Sequence, residues 1–68
     1  MKISARNILK GTIVEVSKGA TTSHVKLDVQ GMVVTASITN EAVDELGLSV
    51  GGEAYAVVKA SDVLVAVD

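Results

Sequence analysis

Alternation of aliphatic and polar side chains is the feature that most constrains this chain. Residues 25–30 read Val-Lys-Leu-Asp-Val-Gln, and residues 32–39 continue with aliphatic side chains at every second position. Because successive side chains of a strand point to opposite faces, each run predicts a strand with one buried face. The single Gly31 between them predicts a hairpin. The chain is therefore expected to fold around β-structure.

Three further segments extend this pattern along the chain. Residues 8–16 are rich in β-branched side chains and predict a first strand, and the small polar residues 17–23 predict the first turn. The apolar segments 54–59 and 63–67 flank Ala60-Ser61-Asp62, which predicts a closing hairpin. Five strands are expected in all.

One short helix is predicted at Asn40–Gly47. Thr39 or Asn40 can cap its start, and Gly47 suits its end. Val43 and Leu46 share a face, so we expect both to close one end of a barrel. The order β-β-β-α-β-β predicts an all-β fold: a small OB-like five-stranded barrel with one short helix between the third and fourth strands, in a single domain covering residues 1–68.

The short length of the chain favours self-association. A single core of fewer than about 70 residues is usually supplemented by disulfides, a structural metal or oligomerisation. The sequence has no Cys and one His, so neither a disulfide nor the usual zinc cluster is available, and no free metal cation is expected. A hydrophobic fraction of 49% against 21% charged residues is high for so small a domain. We therefore expect a homo-oligomer.

Charge and composition argue against nucleic-acid and membrane partners. The formal net charge is −2, and the chain has one aromatic residue, Tyr55. Readers of single-stranded nucleic acid need basic residues and aromatic platforms, and this chain lacks both. No apolar run approaches the roughly 20 residues that span a bilayer, and no signal peptide is evident. A cytoplasmic protein is the expectation.

Catalytic constellations are also lacking. The single imidazole, His24, falls in a polar turn at a strand start, and the favoured interpretation is a solvated surface residue; the alternative is contact with an anion or a neighbouring subunit. Carboxylates cluster at the predicted helix, where the helix dipole accounts for Glu41. Gly51-Gly52 has no following Lys-Ser/Thr and so is no phosphate loop. An enzyme is not expected.

A small set of cationic and hydroxyl side chains suits an oxyanion. Ser4 and Arg6 lie near one end of the chain and Lys59 and Ser61 near the other, with small Ala5 and Ala60 beside them. Charge-assisted hydrogen bonds from such donors are strong. The competing interpretation is that the two serines are turn residues and the two cations are solvated. A barrel or a subunit interface is needed to bring these segments together.

The chain closely resembles the molbindins, which are small molybdate-binding proteins built of one Mop domain. The resemblance rests on the opening Ser4-Ala5-Arg6-Asn7 with Leu9-Lys10-Gly11, on Lys18-Gly19, on residues 38–47 and on residues 56–61. It covers essentially the whole chain. It implies an OB-like fold, a hexamer assembled as a trimer of dimers, and oxyanions held at subunit boundaries.

The resemblance also implies site residues. At the interface site, one subunit is expected to use Ser4, Ala5 and Arg6, and its partner Lys59, Ala60 and Ser61. Many relatives carry a Ser near the helix start where this chain has Ala42, whose backbone N–H is then the expected donor. A second site near the threefold axis is expected at the first turn, from the residues Lys18, Gly19, Ala20, Thr21 and Thr22.

The function implied is binding of molybdate, with tungstate as an alternative ligand, for storage or homeostasis of molybdenum in the cytoplasm. No cofactor other than the bound oxyanion and no bond-making chemistry are expected. A second function stays open: a structural or interaction module that assembles through its Val-rich faces and binds no anion.

Overall fold

A four-stranded antiparallel sheet makes up most of the structure, a computed structural model that describes residues 1–68. The elements in chain order are β1 (Asn7–Lys18), β2 (Thr22–Val29), β3 (Met32–Thr39), α1 (Asn40–Leu46), β4 (Glu53–Val58) and a 3-10 turn (Ala60–Asp62). The strand order is β3-β2-β1-β4. The predicted all-β class with one helix between the third and fourth strands is confirmed.

The twelve-residue strand β1 joins the two halves of the sheet. Its first half pairs with β4, from Asn7 opposite Val58 to Thr12 opposite Glu53. Its second half pairs with β2, from Thr12 opposite Asp28 to Lys18 opposite Ser23. Gly11 lies at the changeover, where an added Cβ would be 2.8 Å from the carbonyl oxygen of Asp28. Only a glycine lets the two strands approach this closely.

A β-bulge in β1 decides which of its side chains reach the core. The register with β2 shifts between Ile13 and Glu15, so that Val14 is left out of the pairing. Ile13 is 1% exposed and Val14 is 47% exposed, while Val16 packs against the core. The bulge thus turns both Ile13 and Val16 inward, although they lie three positions apart.

The predicted hairpin of β2 and β3 is confirmed. Gln30 and Gly31 form its two-residue turn and both have positive φ, of 51° and 91°. The backbone N–H of Gly31 donates to Asp28 Oδ1 at 2.9 Å. A Gly in the second position permits this turn geometry at low cost.

The core consists of four fully buried aliphatic side chains, Ile13, Val25, Leu27 and Val43. Helix α1 contributes only Val43, because it ends after seven residues. Thr39 is its N-cap and Gly47 its C-cap, as predicted. The prediction that Leu46 also closes the barrel is wrong: Leu46 is 68% exposed, because it borders an open apolar groove and not the closed core.

The predicted closing hairpin does not form. After β4, the backbone N–H of Asp62 donates to the carbonyl of Lys59 and that of Val63 to Ala60, which builds the 3-10 turn instead of a tight hairpin. Residues 63–68 then belong to no strand, and Leu64, Val65 and Val67 are 90% or more exposed. One chain therefore contains four strands instead of five, and β3 and β4 keep free edges.

Replacing Ile13 with Ala is expected to lower the free energy of unfolding by about 2–5 kcal/mol, because it truncates a buried side chain in a core of only four residues. The matched control is Val14→Ala at the exposed bulge position, for which we expect a change within about 0.5 kcal/mol. Urea denaturation at one protein concentration measures both. Equal losses for the two variants would contradict the bulge.

Candidate functional site

The pairing of β1 with β4 brings together the two chain segments that carry the cationic and hydroxyl side chains suited to an oxyanion. Asn7 is the first residue of β1 and lies opposite Val58, the last residue of β4. The side-chain amide of Asn7 donates to the carbonyl of Val58 at 3.2 Å. The segments Ser4–Arg6 and Lys59–Ser61 therefore leave the sheet side by side. We call these two segments the terminal cluster.

Ion pairing elsewhere leaves the terminal cluster electropositive. Three of the six basic side chains form ion pairs: Lys10 with Glu53 at 3.4 Å, Lys18 with Asp44 at 2.7 Å and Lys26 with Glu15 at 3.5 Å. The other three, Lys2, Arg6 and Lys59, have no such partner. Arg6 directly precedes β1 and Lys59 directly follows β4, so these two lie at the same end of the sheet.

The terminal cluster also offers uncommitted hydroxyl groups. Ser4, Arg6, Lys59 and Ser61 are exposed, and their side chains make no hydrogen bond within the chain. Ala5 is half-buried between Ser4 and Arg6, and Ala60 begins the 3-10 turn. Asp62, the last residue of that turn, is the nearest acid in sequence. The donors therefore face solvent and are free to bind a ligand.

Ala42 lies with the first turn and not with the terminal cluster. Thr22 and Thr39 pair at the end of the sheet from which α1 starts, and Lys18 contacts Asp44 of this helix. Arg6 and Lys18 flank opposite ends of β1. The backbone N–H of Ala42 donates to the N-cap oxygen Thr39 Oγ1 at 3.1 Å. Ala42 can therefore join Arg6 and Lys59 only across a contact between two chains.

The first turn borders a pocket of about 260 Å³ that has no hydrophobic residue in its lining. Its lining residues are Ser17, Lys18, Gly19, Thr22 and His24. Three of the five residues predicted for this region line it, while Ala20 and Thr21 lie on the turn outside the lining. Sequence reasoning missed Ser17 and assigned His24 to the solvated surface. The two are cross-strand partners in the β1–β2 register, which local sequence does not reveal.

A network of hydrogen bonds centred on Asn40 fixes the first turn. Ser23 is fully buried and its Oγ donates to Asn40 Oδ1 at 2.5 Å. Asn40 Nδ2 in turn donates to the carbonyls of Gly19 and Ala20, at 3.0 and 3.4 Å. The backbone N–H of Gly19 donates to the carbonyl of Thr22 at 2.7 Å, which closes the turn. Asn40 thus binds two carbonyls of the first turn, whereas the sequence predicted for it only a possible role as helix N-cap.

The structure shows no group of three or more His, Cys, Asp or Glu side chains placed to hold a metal ion. None of its helices has the length and apolar character needed to cross a membrane.

Comparison with known proteins identifies the family. The model of the TOBE domain matches residues 3–65. The chain belongs to the TOBE domain family. A relative from Haemophilus influenzae, named as a probable molybdenum-pterin-binding protein, is 46% identical over the full length of both chains. This TOBE domain is thus of the kind found in the molybdenum-binding Mop proteins, which confirms the resemblance noted from the sequence.

Solved structures agree with this assignment. A molybdate-binding protein from Sporomusa ovata superimposes with a TM-score of 0.93 at 38% identity, covering 97% of this TOBE domain and 98% of that chain. The cytoplasmic molybdate-binding protein ModG, with molybdate bound, gives a TM-score of 0.90 at 48% identity, covering 94% of this domain and 46% of ModG. The fold and family are shared with proteins that bind molybdate.

Replacing Asn40 with Ala is expected to lower the free energy of unfolding by about 1–3 kcal/mol, because it leaves buried Ser23 and two turn carbonyls without their partner. Glu41→Ala, the exposed neighbour on the same helix, is the control and should change stability by about 0.5 kcal/mol or less. Amide hydrogen exchange should show faster exchange at residues 19–22 only in Asn40→Ala. Unchanged exchange there would contradict the network.

Proposed function

We propose that this protein binds molybdate, with tungstate as an alternative ligand, at sites formed where subunits of a homo-oligomer meet. The observation that carries the proposal is the terminal cluster, in which Arg6 and Lys59 have no carboxylate partner and lie beside the free hydroxyls of Ser4 and Ser61. The molybdate-binding relatives support the choice of ligand.

The donor chemistry favours a dianion. Arg and Lys are donors only, and a serine hydroxyl can turn its hydrogen toward an anion. Hydrogen bonds from a guanidinium or an ammonium to an oxyanion are charge-assisted and strong. A protonated phosphate would lose a hydrogen bond wherever its O–H faced Arg6 or Lys59, because neither side chain can accept one. We therefore expect these donors to favour molybdate over protonated phosphate.

Self-assembly is supported by an open apolar groove between the two free sheet edges. The groove has a volume of about 570 Å³, and 13 of its 15 lining residues are hydrophobic. Its floor is Val25 and Leu27, and its walls include Val34 and Ala36 of β3 and every residue of β4. Successive side chains of a strand point to opposite faces of the sheet. Because every residue of β4 lines the groove, the groove runs along the unpaired backbone edge of β4.

The unpaired segment of residues 63–68 has the character of the missing strand. Its Val63, Leu64, Val65 and Val67 are apolar and exposed, although it belongs to no strand of its own chain. Two copies that exchange these segments would fill both grooves and pair the free edges of β3 and β4. Such an exchange is reciprocal, as a twofold interface requires. Five strands per barrel would then arise from two chains.

The resemblance to the molbindins implies a hexamer assembled as a trimer of dimers, and a reciprocal exchange would supply its dimer contact. Within a chain, the terminal cluster and Ala42 lie at opposite ends of β1. The single chain already places Ser4 and Arg6 beside Lys59 and Ala60, so assembly is needed to add Ala42 of another subunit to this proposed site. The first-turn residues Lys18, Gly19 and Thr22 would form the second class of site.

The physiological role proposed is storage and homeostasis of molybdenum in the cytoplasm. The relatives are named for what they bind, and ModG is described as cytoplasmic. The protein would act on its ligand by binding and release alone, without catalysis and without nucleic-acid or membrane partners. A structural module that binds no anion is the alternative, and it predicts no saturable molybdate binding.

Arg6→Gln and Lys59→Gln are each expected to weaken molybdate binding roughly 10- to 150-fold, the loss of one hydrogen bond to a charged group. Lys2→Gln is the matched control, because it removes the third unpaired cation of the same region outside the proposed site. Calorimetric titration at fixed ionic strength measures all three. Equal weakening by Lys2→Gln would indicate that molybdate is attracted by the general positive charge of this surface and not by a defined site.

The double substitution Leu64→Asp and Val65→Asp is expected to break the oligomer, because one of two adjacent strand residues must point into the groove whatever the register. Val50→Asp, at an exposed apolar loop residue outside the groove, should leave assembly intact. Sedimentation velocity measures both. A double variant that keeps the wild-type mass would contradict the exchange of residues 63–68.

A further inference from the structure

His24 is the charge-variable group of the first-turn pocket. It lies on β2 between Ser17 of β1 and Ser37 of β3 in the sheet register. It lines the pocket together with Lys18, Gly19 and Thr22. It forms neither an ion pair nor a side-chain hydrogen bond within the chain. The imidazole is therefore exposed and without a partner.

The other charges around His24 are balanced. On β1 and α1, Lys18 pairs with Asp44 at 2.7 Å; on β2 and β1, Lys26 pairs with Glu15 at 3.5 Å. From β3, only the hydroxyl residues Thr35 and Ser37 fall at the positions paired with Lys26 and His24. Each ion pair sums to zero charge. With neutral His24, a dianion entering the pocket therefore meets no net positive charge.

Protonation of His24 changes this balance by one unit. A neutral imidazole has one donor and one acceptor nitrogen, whereas an imidazolium has two donors. Histidine is the side chain that changes charge between about pH 5 and 8, a range in which the lysines and carboxylates nearby ordinarily do not. The pocket thus becomes cationic, with both nitrogens able to donate, only when His24 is protonated.

We propose that protonated His24 is an oxyanion ligand of the first-turn pocket and makes molybdate binding there depend on pH. The inference rests on the proposed molybdate-binding function and adds to it a residue and a proton. The sign follows from linkage: an anion that binds the protonated form draws a proton onto His24, so affinity is highest at low pH and falls as the pH rises. Release of the anion would release the proton.

The single histidine makes the test direct, because its imidazole C–H resonance reports on one residue. We would titrate this resonance by NMR from pH 5 to 8.5, with saturating sodium molybdate and with sodium chloride at the same ionic strength. The expected result is a titration midpoint at higher pH with molybdate than with chloride. The same displacement is expected in Arg6→Gln, in which the terminal cluster is weakened.

Calorimetry supplies the second readout. The first-turn site of the unmodified protein should bind molybdate at least about tenfold more tightly at pH 5.5 than at pH 7.5, and the heat should vary with the ionisation enthalpy of the buffer as a proton is taken up. His24→Gln keeps a neutral donor and should remove both effects, while Glu41→Gln, an exposed helix residue outside the pocket, should retain them.

The outcomes separate the inference from the function on which it rests. Saturable molybdate binding with an imidazole midpoint that does not move, or with the same pH dependence in His24→Gln, would overturn the role of His24 and leave the proposed function in place. No molybdate binding at any pH would overturn both.

Discussion

An incomplete sheet is the constraint on which this structure depends. The hydrophobic core of the chain is limited to Ile13, Val25, Leu27 and Val43. The chain also leaves an apolar groove between β3 and β4, and its apolar residues 63–67 belong to no strand. A single-chain core this small is a weak source of stability. Groove and segment are both apolar, so the proposed exchange of segments would cover the surface that a single chain leaves open.

The strand β1 positions both of the proposed anion sites. At its start, pairing with β4 aligns the segments that carry Arg6 and Lys59. At its end, pairing with β2 sets Ser17 beside His24, and Lys18 contacts α1 through Asp44. The two places differ in charge: the cations at the start are unpaired, whereas Lys18 at the end is neutralised. We therefore expect the terminal cluster to bind independently of His24 and the first-turn pocket to respond to its protonation.

Local pattern predicted the parts of the fold that depend on neighbours in sequence. The alternation in β2 and β3, the turn at Gly31 and the caps Thr39 and Gly47 are all local, and each was confirmed. The bulge at Val14 could not be read in this way, because it is defined by the register with another strand. The exposure of Leu46 likewise depends on contacts beyond its own helix, because Leu46 borders the open apolar groove. The segment 63–67 has a strand-like pattern, but that pattern does not say which chain provides its partner.

The candidate sites, like the fold, depend partly on local sequence and partly on contacts between distant segments. The residue types of the terminal cluster could be read from the sequence, and the resemblance to molbindins named them as a site, but only the β1–β4 pairing brings them side by side. The contacts of Asn40 with the first turn escaped sequence reasoning because its partners lie 17 to 21 positions away. For His24, the sequence left contact with an anion as one of two interpretations, and its position beside Ser17 follows only from the strand register. Contacts across strands are set by register, and register is a property of the whole sheet.

Anion discrimination by the assembled protein tests the central claim most directly. The measurement is calorimetric titration of the purified oligomer with molybdate, tungstate, sulfate and phosphate at fixed ionic strength and pH, with equilibrium dialysis as a check. The account predicts saturable binding of molybdate or tungstate, with sulfate and phosphate far weaker. Absence of binding for all four anions by both methods would contradict it and would leave a protein that assembles without an oxyanion ligand.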